Sequence, residues 1–152
     1  MYFQIRSSTG VGFGPGARSE KLREDALTLE RLALGHIATA HFKLGDLKMC
    51  VTLSEQALEL CEAAGDDDRA VVNRRNRDIA CVGVANDLFE AAHRAVGGRE
   101  VKESDLDATA AKALYTEAKA QVTEAWEGFG MRISDPAMRG KVERAYCAAM
   151  VK

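Results

Sequence analysis

Residues 31–65 read RLALGHIATAHFKLGDLKMCVTLSEQALELCEAAG, and their spacing decides the fold. Leu47, Cys50, Ser54, Ala57, Cys61 and Ala64 recur every three or four residues, which places them on one side of an α-helix. Before them, Leu22, Ala26, Leu29, Ala33, Ile37 and Leu44 recur in the same way and predict a first helix from about Ala17. Gly45-Asp46 ends that helix. Gly65 ends the second, because glycine enters the left-handed conformation in which helices commonly terminate.

Working outward, Asp66, Asp67 and Asp68 sit where a third helix should begin. Negative charge there caps free N–H groups and complements the helix dipole. The third helix is expected to run to about Val96, with Val72, Ile79, Val82, Phe89, Ala92 and Val96 as its apolar stripe and Gly97-Gly98 as its stop. Ser104 caps a fourth helix, with Asp107 in the capping-box position. Leu114, Ala118, Val122, Ala125 and Phe129 form its buried face, and Gly128 and Gly130 are expected to end it. Asp135-Pro136 opens a fifth helix, cap followed by proline in the first turn, with Met138, Val142, Ala145 and Ala149 facing inward. No segment alternates with period two. Only Pro15 and Pro136 occur, which leaves the whole span between them free of the strongest helix breaker. The expected fold is all-α: an antiparallel array or bundle of about five helices, in a single helical domain over residues 18–152.

Residues 1–17 differ. Gly10, Gly12, Gly14 and Gly16 alternate with Val11, Phe13 and Pro15, the composition of an irregular tail. Tyr2-Phe3-Gln4 also matches the end of a common protease-tag site. The glycine run invites a phosphate-loop reading, since glycine lets backbone approach phosphate at a helix N-terminus. No Gly-Lys-Ser/Thr follows and no βαβ unit surrounds it, so the tail reading is preferred.

The 152 residues are 47% hydrophobic and 29% charged, enough to bury a real core. The net charge of −2 gives no basic surplus of the kind nucleic acid or an anionic membrane would call for. No run of about 18 apolar residues exists to span a bilayer, and Met1–Arg6 lacks the pattern of a secretory signal. Cys50, Cys61, Cys81 and Cys147 show no Cys-x-x-Cys. On one helix, Cys50 and Cys61 would lie about 16 Å apart, beyond disulfide reach. They are read as small apolar residues of an intracellular, cytoplasmic protein.

The helix pair over 31–64 carries more than amphipathicity. Ala38 and Ala57 are small where two helices would cross closely, Gly45 makes the turn, and Leu34, Ile37, Leu47, Cys50 and Leu60 supply the apolar positions. The stretch from Ala40 to Leu47, followed by Glu55-Gln-Ala-Leu-Glu-Leu60, resembles the tetratricopeptide repeat, and Ala63-Ala-Gly-Asp-Asp67 resembles its longer-spaced variety. His41 and Ser54 stand where larger aromatics are usual in that family, and the match fades after Gly65. The resemblance implies a repeat that needs neighbours to bury its faces. It also implies a concave groove, lined by first helices, that takes a partner peptide or helix. The implied groove residues are Leu32, Gly35, Thr39, Phe42 and Lys43. Gly35 and Thr39 stand where some members clamp a terminal carboxylate with Lys and Asn, so Phe42 and Leu32 point to a more apolar ligand. The alternative is that these residues pack on a neighbouring helix of the same chain.

Arg69, Arg74, Arg75 and Arg77, beside Asn73 and Asn76, suggest a basic patch. Arginine forks read carboxylates or phosphates well, so Arg74, Arg75 and Arg77 are candidates for docking an acidic segment. The competing reading is a solvated face paired with Asp66–Asp68 and Asp78. No aromatic platform for RNA accompanies them. His36 and His41 fall on different helix faces, and His93 is distant, so no metal is expected. Trp126, Phe129, Met131 and Ile133 fit either a core or an interface hot spot. No carboxylate pair suggests acid–base catalysis, and no cofactor is implied. The expected function is a non-enzymatic protein–protein interaction module, an adaptor or assembly subunit. A self-associating structural protein and a small ligand-binding or enzymatic bundle stand as alternatives.

Overall fold

In the computed structural model, residues 17–97 and 108–151 are described, and they are all-α: among them, every regular element is helical. The helices are α1 (Ala17–Lys43), α2 (Leu47–Ala64), α3 (Asp67–Gly97), α4 (Ala108–Thr123) and α5 (Pro136–Val151). A π-helical turn, Glu124–Phe129, and a 3-10 turn, Gly130–Arg132, connect α4 to the approach to α5. The glycine-rich tail and the Ser104/Asp107 capping box lie outside the described residues. The chain forms two compact units, one ending at Arg77 and the other beginning at Asp78.

In the first unit, α1 and α2 pack as a helical hairpin, and both of its turns use one device. At the first, Gly45 has φ +81° and Asp46 N donates to His41 O at 2.9 Å. At the second, Gly65 has φ +68° and Asp66 N donates to Cys61 O at 2.8 Å. These are the six-to-one bonds that satisfy the last carbonyls of a helix when glycine turns left-handed. The aspartate after each glycine then caps the next helix. Asp46 Oδ1 accepts from Met49 N at 3.3 Å, and Asp66 Oδ1 accepts from Arg69 N at 3.4 Å. Gly-Asp is thus a stop and a start in two residues.

The α2 face agrees with its spacing: Cys50, Ser54, Ala57 and Cys61 are buried. On α1 the expected stripe is displaced. Ala26, Glu30, Leu34 and Ala38 are buried, whereas Leu22, Leu29, Ile37 and Leu44 are exposed. The buried set is rotated by roughly a quarter turn from the largest apolar residues. Its alanines allow α2 to approach closely, and interaxial distance depends on such contact residues. The same happens on α3, where Ala70, Asn73, Ala80, Cys81, Val84 and Ala85 are buried while Val71 and Val72 are exposed. Periodicity located these helices, but side-chain size did not identify their inner faces.

In the second unit, the inward residues of α4 and α5 fall as their spacing predicts. Ala92, Ala118 and Val122 form a buried cluster flanked by Phe89, Val96, Tyr146 and Ala149. The helical run that continues α4 ends at Phe129 with Gly130 as its cap, though neither Gly128 nor Gly130 turns left-handed. Gly128 lies inside the π-helical turn, and Gly130 has ordinary right-handed angles, φ −58° and ψ −41°. Gly130 is there for space. A Cβ on it would lie 2.5 Å from Trp126 Cε3 and 2.9 Å from Val142 Cγ1, closer than carbon atoms can pack.

Asp78 joins distant parts of this unit. Its side chain is buried and accepts hydrogen bonds from Ser134 N at 3.1 Å, Ser134 Oγ at 2.6 Å and Asp135 N at 3.0 Å. Asp135 in turn accepts from Met138 N at 3.0 Å and caps α5. A carboxylate from α3 therefore holds the loop that aims α5.

Candidate functional site

The groove candidates lie on the second half of α1, within the first unit. Phe42 is 43% exposed, Thr39 and Lys43 are exposed, and Leu32 and Gly35 are half-buried. At about 100° per residue they share one side of the helix, away from the buried Ala26–Leu34–Ala38 side. Thr39 Oγ1 donates to Gly35 O at 3.0 Å, which occupies the hydroxyl within its own helix. Gly35 sits beside α3: a Cβ there would lie 3.5 Å from Asn73 Oδ1. Asn73 is buried and donates to Arg69 O at 2.9 Å, with Cys61 Sγ 3.6 Å from its amide nitrogen. The floor beside Gly35 is therefore polar, and the aromatic group of Phe42 stands about two turns away.

The arginines divide among different tasks. Arg69 Nη1 donates to Asp66 Oδ2 at 2.7 Å, and Arg31 Nε reaches the same oxygen at 3.3 Å, so one carboxylate links α1 to the start of α3. The hydrogen bond from Arg69 is the chief reason the Asp66 carboxyl is held below its ordinary range. Arg69 is correspondingly raised, first by that same bond. Arg74 Nη2 donates to Glu62 Oε1 of α2 at 3.1 Å. Arg75 is exposed and Arg77 half-buried. Successive residues turn by about 100°, so Arg74 and Arg75 point in different directions and Arg75 is the more accessible of the two.

His41 Nδ1 lies 3.3 Å from Asp46 Oδ2, across the first turn. His36 and His93 are exposed. Among the described residues, no three His, Cys, Asp or Glu side chains gather as a metal site. Burial pushes the thiols of Cys50 and Cys61 up. Cys81 is also buried, and Cys147 is exposed.

The second unit holds an aromatic assembly that the residue cluster Trp126, Phe129, Met131 and Ile133 only outlined. Trp126 stacks on Tyr146 with centroids 5.8 Å apart, and Arg139 Cζ lies 5.7 Å from the Trp126 centroid. Arg132 Cζ lies 5.6 Å from the Phe129 centroid. Ile133 is buried and Met131 exposed. Tyr146 and Arg139 sit on α5, so their part in the assembly depends on folding that no local pattern announces. An open groove of about 330 Å³ is lined by Phe89, Glu90, His93 and Arg94, all from the last turns of α3.

Among the described residues, no helix is long and apolar enough to cross a membrane. Comparison with protein-family models, curated proteins and solved structures found no match for the chain.

Proposed function

We propose that the chain is a tetratricopeptide-like, non-enzymatic interaction module, an intracellular adaptor or assembly subunit that binds a partner peptide or helix along α1. The observation that carries this reading is Phe42: a large aromatic, 43% exposed, on the same side of α1 as Leu32, Thr39 and Lys43. The hairpin of α1 and α2, turned at Gly45, and the docking of α3 through Asp66 support the comparison with a helical repeat. In this reading Phe42 and Leu32 supply apolar contact, and Lys43 and the exposed Arg75 set register against an acidic residue of the partner. Arg74 and Arg77 would contribute at the margin.

Crosslinking with mass spectrometry on material from the native source tests it. A stoichiometric partner crosslinked at Lys43 or Lys48 is expected. Phe42→Ala should weaken that partner by about tenfold, the value of burying roughly half a phenyl ring, with the melting transition unchanged. A melted domain would place Phe42 in the core and remove the groove. Self-association is the second reading, favoured by the exposed Tyr115 and Met131 of the second unit. It predicts that the chain crosslinks only to itself.

A further inference from the structure

The apolar stripe on α1 reads the same in both directions. Leu22, Ala26, Leu29, Ala33, Ile37, Ala40 and Leu44 follow one another at spacings of 4, 3, 4, 4, 3 and 4. At about 100° per residue they stay within an arc of about 80°. Counted outward from Ala33, the fourth residue on either side is leucine or isoleucine, the seventh is alanine and the eleventh is leucine. Leu44 belongs to the stripe although it follows α1, because its N–H still donates to Ala40 O at 3.0 Å. Leu22, Leu29, Ile37 and Leu44 are 39%, 56%, 44% and 81% exposed, Ala40 is exposed and Ala33 is half-buried. Ala26 alone of the seven is buried within its own chain.

A surface that meets its own copy about a two-fold axis has to be self-complementary, and this stripe is. With the axis through Ala33, an antiparallel second α1 sets Leu22 against Leu44, Leu29 against Ile37 and Ala33 against itself. Large and small layers then alternate, each matched in size, and the small layer at the axis lets the two helices approach closely. The charges agree. In such a pair each border of the stripe faces the same border of the second copy. The exposed Asp25 and Lys43 lie on one border, about 40° beyond the edge of the stripe. They stand 8 residues before Ala33 and 10 after it. Along the helix axis, Asp25 of one copy therefore falls within about 3 Å of the level of Lys43 of the other, and symmetry makes the contact twice. The level of Arg18, on the same border, lies past the end of the facing helix. On the other border, Arg23 comes near the level of the His41–Asp46 contact of the second copy, which includes a carboxylate.

The area also suits a second copy. The exposed parts of Leu22, Leu29, Ile37 and Leu44 sum to on the order of 400 Å² per copy, hence ~800 Å² for two. Homodimer interfaces are about 65% apolar, so the whole contact comes to roughly 1,200 Å², the lower end of the standard size. We infer that α1 is the interface of a two-fold antiparallel homodimer centred on Ala33. This goes beyond the reading of the chain as an interaction module. Phe42 lies on the side of α1 opposite the stripe and stays open to a peptide. In the dimer Lys43 is engaged by Asp25, which leaves Arg75 to set the register of that peptide.

Sedimentation equilibrium of the full chain tests it first. The mass should rise from one chain to two as the concentration passes through the micromolar range, the affinity expected of so small a contact. Leu29→Asp should weaken the dimer at least tenfold, with the far-ultraviolet circular dichroism unchanged. The register is read by disulfide trapping in a Cys147→Ser background, which removes the exposed native thiol. Ala33→Cys meets its own copy at the axis and should give a covalent dimer on mild oxidation. Ala40→Cys should not, because two copies of position 40 lie about 20 Å apart in the antiparallel pair. Should Leu29→Asp unfold, the two cysteine variants decide alone. A chain that stays monomeric at every concentration overturns the inference, as does a dimer that folded Leu29→Asp leaves intact. Trapping at Ala40→Cys as readily as at Ala33→Cys overturns it too, since a parallel pair would bring every position to itself. In each of those cases a native partner crosslinked near Phe42 would still leave the module reading standing.

Discussion

Gly130→Ala separates a glycine needed for space from one needed for backbone conformation. Gly130 is right-handed, so alanine meets no backbone strain and should gain about 1 kcal/mol of helical preference. Against that, the new methyl carbon would lie 2.5 Å from Trp126 Cε3, 3.1 Å from Cζ3 and 2.9 Å from Val142 Cγ1, where carbon atoms prefer roughly 3.5–4.0 Å. The indole cannot simply swing aside. It is stacked on Tyr146 and carries Arg139 over its ring. Overpacking of this kind costs about 1–3 kcal/mol, so the clash should outweigh the helical gain and leave a net loss of about 1–2 kcal/mol. Trp126 is the sole tryptophan, so its fluorescence in equilibrium urea unfolding reports the site directly. Gly128→Ala is the control. Its methyl would meet only the flexible Glu124 Cγ at 3.4 Å, and the variant should be as stable as the parent or slightly more so. A Gly130→Ala protein that unfolds at the same or a higher urea concentration than the parent would refute the packing argument.

Asp78→Ala should destabilise the second unit by about 3 kcal/mol, since three hydrogen bonds to the loop before α5, each worth about 1 kcal/mol, are lost; a loss under 1 kcal/mol in urea would mean that the loop is held by something else. One thiol, Cys147, should react quickly with a thiol reagent in native buffer, and four in denaturant, because Cys50, Cys61 and Cys81 are buried; three fast thiols in native buffer would contradict that burial. The lowered Asp66 carboxyl gives a signed pH dependence. Its contribution is complete above the ordinary aspartate range and is lost as pH falls through its depressed folded value. Stability of the parent should therefore fall more steeply on acidification than that of Asp66→Asn, and parallel curves would sink the assignment of the Arg69–Asp66 bond as its cause.

Two residue types illustrate how far local chemistry reaches. Gly65 and Gly45 were legible because a left-handed helix end is a property of one residue and its immediate carbonyls. Asp66 and Asp135 were legible for the same reason, as caps act within three residues. Gly130 looked identical in the sequence but answers to Trp126 and Val142, and Val142 is reached only after the chain has turned. The candidate site divides likewise. Phe42 was named only through the resemblance to a tetratricopeptide repeat, and its 43% exposure is a tertiary quantity. The arginine run reads as one patch only until Arg74 finds Glu62 and Arg69 finds Asp66.

By itself, the sequence determined that the described residues are helical, that Gly45 and Gly65 turn the chain, and that Asp66 and Asp135 cap helices, because propensity, spacing and capping are set within a few residues. Only the tertiary structure decided which side of α1 and α3 is inside. Burial is shared between elements, and on α1 the side that carries Ala26, Leu34 and Ala38 is inside although Leu22, Leu29 and Ile37 line another. That choice left Leu22, Leu29 and Ile37 at the surface.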